Sequence, residues 1–346
     1  MPWTGIQADG RRDCEVYGAD GEAGRQLTYR DAIREALDQA LGMDPRVFLI
    51  GEGIDDPGGV FGSTLGLAEK YGSLRVMDMP LAENGLTGVA AGAAMTGMRP
   101  VLIHMRVDFL PMAMDQIVNH VAKWRYMTGG KVSVPLTIRA ITGRGWGSAA
   151  QHSQSLHALF AHIPGLTVVM PASPRDAKGL LMGCIASGEP SLVIEHRWLY
   201  DLKEVVPEEP FLVPPGVGLI RREGTDVTLV GVSHAVYDLL LAAEQLATEG
   251  ISAEVLDLRS VRPLDEALII SSVRKTGRMV VMDTGWKRCG ISAEVAAVVS
   301  ESAHDALRAP FRRICIAECP APASAVLEDA YYPGCADVVA CVKGLL

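Results

Sequence analysis

Short apolar runs alternate with amphipathic stretches along most of the chain. Runs such as "RVFLI", "RPVLIHM", "VPLTIRA" and "SLVIEH" are rich in β-branched and apolar residues and predict strands. Stretches such as "TYRDAIREALDQALGMD", which Thr28 would cap, and "SPRDAKGLLMGCIASG" predict helices. Because several strands are solid apolar blocks separated by helices, the pattern predicts an α/β fold with mostly parallel sheets covered by helices on both faces.

The alternation is interrupted between residues 201 and 220. The segment "DLKEVVPEEPFLVPPGVG" is rich in proline and charge and has neither a helical nor a strand period, which predicts a linker. Beyond it, "DVTLVGV", "AEVLDL", "RMVVMD" and "RRICIAE" restart the alternation. We therefore expect a first domain over residues 27–200 and a second, smaller domain over residues 221–346. A loose polar extension over residues 1–26 would precede them.

Composition narrows the class of protein. The 346 residues are 49% hydrophobic and carry a net charge of −9, which speaks against nucleic acid or an acidic membrane as a partner. No run approaches the ~20 apolar residues of a membrane span, and no signal pattern begins the chain, so we expect a cytoplasmic protein. The seven cysteines form no CxxC pair and predict buried thiols. The eight histidines form no HxxxH or HExxH group, so we expect no metal site made by this chain alone.

The stretch "MPLAENGLTGVAAGAAMTGM", residues 79–98, consists almost entirely of small residues after Glu83. Each glycine in it weakens a helix by roughly 1 kcal/mol relative to alanine, so a helix formed here must gain something that offsets this cost. One interpretation is close helix packing, with Glu83 a charge near a helix start that the macrodipole favours. The other is a cofactor site, and the residues alone leave both open.

The spacing of this stretch resembles the pyrimidine-side signature of thiamine-diphosphate enzymes: Glu83, four residues, Gly88, an apolar residue, two residues, Gly92, an apolar residue. Further segments, among them "DQIVNHVAKWRYMTGGK" and "AAQHSQSLHALFAHIPGLTVVMPASPRDAKGLL", resemble the beta subunit of the decarboxylase component of 2-oxo acid dehydrogenase complexes. The resemblance runs from about Leu27 to the end and is nearest to acetoin-type and pyruvate-type members. It implies a two-domain transketolase-like fold.

The resemblance also implies roles for three residues. Glu83 would face the aminopyrimidine of thiamine diphosphate and share a proton with its nitrogen N1′. Phe109, in "VDFLPMAMDQ", would stack on the aminopyrimidine, although a core phenylalanine is the alternative. His152, in "AAQHSQ", would position or protonate the substrate carbonyl and assist acyl transfer, although a lone histidine is more often structural.

Several positions depart from the family's pattern. Ile103, His104 and Arg106 stand where the family usually has an acidic residue followed by bulky apolar ones, so cofactor packing or substrate preference is expected to differ. Ser187 stands where the family has an aspartate that helps to hold a potassium ion, which puts that structural site in question. We expect structural roles for three further histidines, His157, His162 and His196, although His196 follows a strand end, where ligands often bind.

No GDG motif, through which thiamine-diphosphate enzymes anchor Mg²⁺ and the diphosphate, follows a predicted strand. In the family this half of the site lies on an alpha subunit. The resemblance therefore implies an α2β2 heterotetramer in which this chain is inert alone. It would decarboxylate a small 2-oxo acid, or cleave acetoin, and transfer the acyl group to a lipoyl-bearing acyltransferase.

Three alternative hypotheses for the function remain. A split transketolase or synthase would move a two-carbon unit between aldehydes without a lipoyl acceptor. A biosynthetic homologue would use a carrier protein as acyl acceptor, which the departures at Ile103, His104 and Arg106 allow. A beta-like scaffold without chemistry is disfavoured because Glu83, Phe109 and His152 are all present.

Overall fold

The computed structural model describes residues 2–9 and 24–346, and its elements alternate as the sequence predicts. The strands are β1 (Gln7–Ala8), β2 (Gln26–Thr28), β3 (Val47–Gly51), β4 (Val76–Asp78), β5 (Arg99–His104), β6 (Thr137–Thr142), β7 (Thr167–Val169), β8 (Ser191–His196), β9 (Lys203–Val205), β10 (Phe211–Leu212), β11 (Leu219–Arg222), β12 (Val227–Gly231), β13 (Ala253–Asp257), β14 (Ser260–Arg262), β15 (Met279–Trp286) and β16 (Arg312–Ile316). The helices are α1 (Tyr29–Met43), α2 (Leu67–Tyr71), α3 (Glu83–Met95), α4 (Trp124–Met127), α5 (His157–Ala161), α6 (Pro174–Ser187), α7 (His234–Thr248), α8 (Glu266–Thr276), α9 (Ile291–Ser302), α10 (Ala325–Tyr331) and α11 (Cys335–Lys343).

Two larger sheets organise these elements. One has the strand order β14-β7-β8-β6-β5-β3-β4, and the other has the order β11-β13-β12-β15-β16. Their strands pair in parallel, except that β14 and β11 each pair antiparallel with a neighbour. Because β14 follows β13 in the sequence, the second half of the chain contributes a strand to the first sheet. The predicted α/β class with mostly parallel sheets is confirmed.

Both faces of the first sheet are buried. Along β3, Phe48 and Ile50 belong to one hydrophobic core, and Val47 and Leu49 belong to another. Alternate strand residues point to opposite faces, so these are the cores above and below the sheet. Helices α1 and α6 pack in the second core, whereas α3 packs in the first, which continues into the second sheet. None of the described helices is long and apolar enough to span a membrane.

The start of the chain differs from the predicted loose extension. Trp3 is buried, and its indole Nε1 donates to Asp44 Oδ2 at 2.9 Å. Strand β1 pairs with β10, and Asp9 forms an ion pair of 2.8 Å with Arg175. Burial of one tryptophan and pairing of one charge hold residues 2–9 in place, which a polar composition did not indicate. Residues 10–23 of the predicted extension lie outside the described residues.

Buried charges join the two halves of the chain. Asp176 of α6 contacts Arg221 of β11 and Arg259, with 2.7 Å between Arg259 Nη2 and Asp176 Oδ1. Burial acts to raise the pKa of Asp176, but the two guanidinium groups hold it below its usual value. The His157 imidazole Nε2 lies 2.9 Å from Asp283 Oδ1, again across the two halves. Removing one member would leave a buried charge unpaired.

The cysteines only partly match the prediction of buried thiols. Six cysteines lie in the described residues and all are free, while Cys14 lies outside them. Cys184 is buried, but Cys289 and Cys319 are exposed. The prediction is therefore wrong for these two, because they lie in loops after strands β15 and β16 rather than inside the apolar runs.

One predicted helix is broken into pieces. The apolar spacing of "LPMAMDQIVNHVAKWRYM" predicts one helix, but the chain forms a 3₁₀ helix over Val107–Ala113, a π-helical turn over Gln116–Val121 and then α4. Pro111 lies inside the 3₁₀ segment and has no N–H to donate to a regular helix. Short 3₁₀ and π segments are frequent at functional sites, and this one carries Phe109.

Candidate active site

Three loops at one edge of the first sheet carry the residues singled out from the sequence. Glu83 follows β4, Phe109 follows β5, and His152 follows β6. In the sheet, β6, β5, β3 and β4 lie side by side, and all of them run parallel. Their carboxyl ends therefore meet at the same edge, where ligand sites of α/β proteins form.

Glu83 is buried without a partner. It is the first residue of α3, the residue as a whole is only 5% exposed, and no described residue forms a hydrogen bond or ion pair with its carboxylate. The carboxylate oxygens are not among the fully enclosed polar atoms, so they can still be reached from outside the described residues. The positive end of the helix macrodipole favours a negative charge at this position.

Phe109 and His152 contact one another. Their ring centroids lie 5.3 Å apart with an interplanar angle of 85°, an edge-to-face arrangement. Both residues are only partly buried, so one side of the pair remains open. The arrangement leaves an aromatic face and an imidazole next to the same space.

The loop that carries His152 is fixed by its backbone. A Cβ on Gly143 would lie 1.9 Å from the carbonyl oxygen of His152, so glycine is required at that position. Asp108 accepts a hydrogen bond of 3.0 Å from the backbone N–H of Gln154, two residues after His152. Burial raises the pKa of Asp108 above its usual value.

Buried polar atoms without a hydrogen-bond partner gather at this edge. Among the described residues they include Glu52 Oε1, both ring nitrogens of His104, Thr142 Oγ1 and Ser153 Oγ, and also Thr87 Oγ1 one turn after Glu83. His104 Nδ1 and Glu52 Oε1 are 3.7 Å apart, too far for a hydrogen bond. Native proteins seldom leave so many such atoms in one place. The residues present therefore fit a polar heterocycle such as the aminopyrimidine of thiamine diphosphate.

Helix α3 presents a face of small residues to the surface. Gly85, Val89 and Gly92 are exposed, and Val89 is 57% exposed. A Cβ on Gly85 or Gly92 would meet no atom within 4 Å. Nothing in the described chain therefore requires glycine at these two positions.

The departures from the family's pattern fall into different places. Ile103 is fully buried in the core beside α1 and α6, whereas His104 is buried at the site edge. Ser187 ends α6, where its hydroxyl donates to Cys184 O at 2.8 Å and accepts from Glu189 N at 3.2 Å. No group of three or more His, Cys, Asp and Glu side chains that could hold a metal ion occurs in the part of the chain that the structure describes.

The other histidines make contacts that the sequence did not reveal. His196 is buried and stacks on His234 with 4.9 Å between ring centroids, while His157 pairs with Asp283. Burial lowers the pKa of His196 well below its usual value. Sequence reasoning also missed Glu52 and Asp108, because a single acidic residue after an apolar run carries no signal of its own.

Comparison with known families identifies both halves of the chain. The model of the transketolase pyrimidine-binding domain matches residues 25–203. The model of the transketolase C-terminal domain matches residues 216–338.

Individual relatives of the chain indicate the same family. The beta subunit of the acetoin:2,6-dichlorophenolindophenol oxidoreductase of Bacillus subtilis is 45% identical over 89% of this chain and 94% of its own length. The mitochondrial pyruvate dehydrogenase E1 beta subunit of Dictyostelium discoideum is 43% identical over 89% of this chain and 88% of its own. Among solved structures, a split-gene transketolase described as an inactive beta4 tetramer superposes with a TM-score of 0.77 at 25% identity. The superposition covers 92% of this chain and 98% of that one.

Proposed function

The chain belongs to the transketolase-like family of acetoin and pyruvate dehydrogenase E1 beta subunits, and from this we propose that it forms the pyrimidine-binding half of a thiamine-diphosphate active site. The observation that carries the proposal is Glu83, a buried carboxylate without a partner among the described residues, at the start of a helix. A ring nitrogen that shares a proton with this carboxylate would relieve the cost of its burial.

Three residues of this chain would each have a separate role in the reaction. When bound, thiamine diphosphate supplies the nucleophilic carbon and the electron sink for cleavage of a bond next to a carbonyl group. Glu83 would hold or release a proton at nitrogen N1′, and Phe109 would offer its ring face to the aminopyrimidine. His152, held on the edge of Phe109, would exchange a proton with the substrate's carbonyl oxygen.

An alpha subunit would supply what this chain lacks. The sequence has no GDG motif after a strand, so Mg²⁺ and the diphosphate would be held by another chain. The exposed small-residue face of α3 is suited to close packing of a second subunit, which would also exclude water from Glu83. The structural relative described as an inactive beta4 tetramer supports the idea that beta chains alone lack activity. We propose an α2β2 assembly in the cytoplasm, in which a potassium ion at Ser187 is not required.

The acyl acceptor would be a lipoyl-bearing acyltransferase, and the substrate a small 2-oxo acid or acetoin. A split transketolase is the second candidate, because one such protein superposes over nearly the whole chain. Its lower identity, 25% against 45% for the acetoin relative, favours the dehydrogenase. An assay of the reconstituted complex with a lipoyl domain and with an aldehyde acceptor separates the two.

The proposal is tested by Glu83→Gln in the complex with the alpha subunit. Glutamine keeps the shape of the side chain but cannot exchange a proton, so we expect deuterium exchange at C2 of the bound cofactor to slow by roughly 100-fold or more. Glu69→Gln, on the exposed face of α2, is the matched control and should exchange at the wild-type rate. Wild-type exchange by the Glu83→Gln complex, with assembly intact, would refute the role of Glu83.

A further inference from the structure

Two arginines share one aromatic ring beside the active-site edge. The guanidinium carbons of Arg106 and Arg197 each lie 4.9 Å from the centroid of Phe61. Arg197 also lies 5.2 Å from the ring centroid of Trp146 and 5.0 Å from that of Tyr200. Stacking on aromatic faces fixes the planes of both guanidinium groups while leaving their edges free for hydrogen bonds.

Neither guanidinium group is ion-paired within the described residues. Arg106 and Arg197 make no ion pair with any of them, and the guanidinium hydrogen bond of Arg106 within this set goes from Nη1 to the carbonyl of Met105. The Nε of Arg106 is buried without a partner there. Burial lowers the pKa of Arg106, the charge of Asp108 acts to raise it, and the charge of Arg197 acts to lower it. An arginine stays protonated regardless, so both positive charges remain.

Neither Asp108 nor Glu195 forms an ion pair with these two arginines. Asp108 Oδ1 accepts from the backbone N–H of Gln154, while Asp108 Oδ2 is buried without a hydrogen-bond partner among the described residues. Glu195 is held by the fully buried Arg139, at 2.5 Å from its Nε, and accepts from the hydroxyl of Tyr200 at 2.6 Å. Both guanidinium groups therefore remain without an ion-pair partner among the described residues, and a bound anion could pair with them directly.

The pair adjoins the loop of His152. The Cβ position of Gly143 lies 1.9 Å from the carbonyl oxygen of His152 and 3.1 Å from Nε of Arg106, so these two groups are close neighbours. Solvent reaches the other side, where Trp146 is 73% exposed. Phe61 and Trp146, on which Arg197 stacks, both adopt positive φ, 49° and 56°. Such backbone strain clusters at ligand sites.

We infer that Arg106 and Arg197 form a carboxylate-binding subsite next to His152, and that the 2-oxo acid substrate carries a second carboxylate. The substrate class rests on the proposed function, whereas the anion subsite does not. Paired guanidinium groups are the preferred receptor for a planar carboxylate. A carboxylate that leaves as carbon dioxide gains nothing from such a clamp, because strong binding of its charge stabilises the ground state. A clamp suits a carboxylate that remains on the product.

The anion subsite is tested on the purified chain alone, with glutarate as the probe at constant ionic strength. Trp146 lies against Arg197, so we expect saturable binding to change tryptophan emission. The double variant Arg106→Met, Arg197→Met should weaken binding roughly 10- to 100-fold, as expected for lost charged hydrogen bonds. Arg274→Met, which removes an exposed arginine paired with Asp305, is the control and should bind as the wild type does.

Arg106→Lys keeps the charge but loses the planar fork, and should bind with intermediate affinity even if the methionine variants fold poorly. Equal glutarate binding by the wild-type chain and a folded double variant would overturn the subsite.

The substrate class is tested in the complex with the alpha subunit. We expect the ratio of kcat/KM for a 2-oxo dicarboxylic acid of five carbons to kcat/KM for pyruvate to fall roughly 10- to 100-fold in Arg106→Met, mostly through KM for the dicarboxylic acid. An equal loss for both substrates would overturn the second carboxylate. Glutarate binding without turnover of any 2-oxo acid or of acetoin would refute the proposed function and leave the subsite standing.

Discussion

Glu83 lies at a helix start, where a carboxylate is tolerated. The start of α3 favours negative charge, while burial without a described partner leaves the carboxylate ready for an incoming donor. The orphaned atoms of Glu52 and His104 lie at the ends of two neighbouring strands of the same sheet edge. A site of this kind is costly to the free chain, and binding of a polar group would recover that cost.

Also at the scale of single residues, the variant His152→Ala distinguishes a role of His152 in proton transfer from a role in packing. If His152 acts on the substrate, the complex should still exchange the cofactor's C2 proton normally, while acyl transfer falls by roughly 10²- to 10⁴-fold. His162→Ala, at an exposed position, should change neither rate. A lowered melting temperature with unchanged acyl transfer per folded molecule would show His152 to be structural.

The sequence identified some of these residues and not others. Glu83, Phe109 and His152 stand in spaced motifs that the sequence displays, and the structure brings the last two into contact. Glu52 and Arg197 carry no local signal, because their surroundings come from strands far away in the sequence. Side-chain neighbours across a sheet depend on strand order, which the sequence pattern leaves open.

Among the elements, α3 contains glycines that packing within the described chain does not explain. Each glycine costs helix stability, yet Gly85 and Gly92 have open space around them in the described chain. These glycines therefore contribute little to packing within this chain. They would let the backbone of a second chain approach α3 closely, because no side chain intervenes.

Gly92→Leu tests this interpretation of α3. Because the new side chain meets nothing in the described chain, the isolated protein should keep or slightly raise its melting temperature, since leucine is the better helix former. Association with the alpha subunit should weaken by about 1–3 kcal/mol through overpacking. Ala247→Leu, at an exposed position of α7, should leave association unchanged. Normal association of Gly92→Leu in sedimentation velocity would place the interface elsewhere.

The segment from Val107 to Met127 marks the limit of periodicity as a guide to elements. Its apolar spacing indicates one helix, but tertiary packing against α3 and the proline divide it into 3₁₀, π and α turns. The regular elements α1 and α6 show the opposite case. Their N-caps, Thr28 and Ser173, accept the backbone hydrogen bonds that the sequence indicates.

At the scale of the whole molecule, the two halves of the chain pack against each other and are not held apart by a linker. Strand β14 joins the first sheet, Asp176 lies between Arg221 and Arg259, and one hydrophobic core extends through both halves. The break in pattern near residues 201–220 is visible in the sequence, but this long-range pairing is not. The division into domains predicted from that break stays a prediction.

The central claim is that this chain carries half of a cofactor site. Calorimetric titration with Mg²⁺ and thiamine diphosphate, first of the purified chain and then of its complex with the alpha subunit, tests it most directly. We predict no measurable heat of binding for the chain alone and tight, Mg²⁺-dependent binding for the complex, which Glu83→Gln weakens. Micromolar Mg²⁺-dependent binding by the chain alone would contradict the claim.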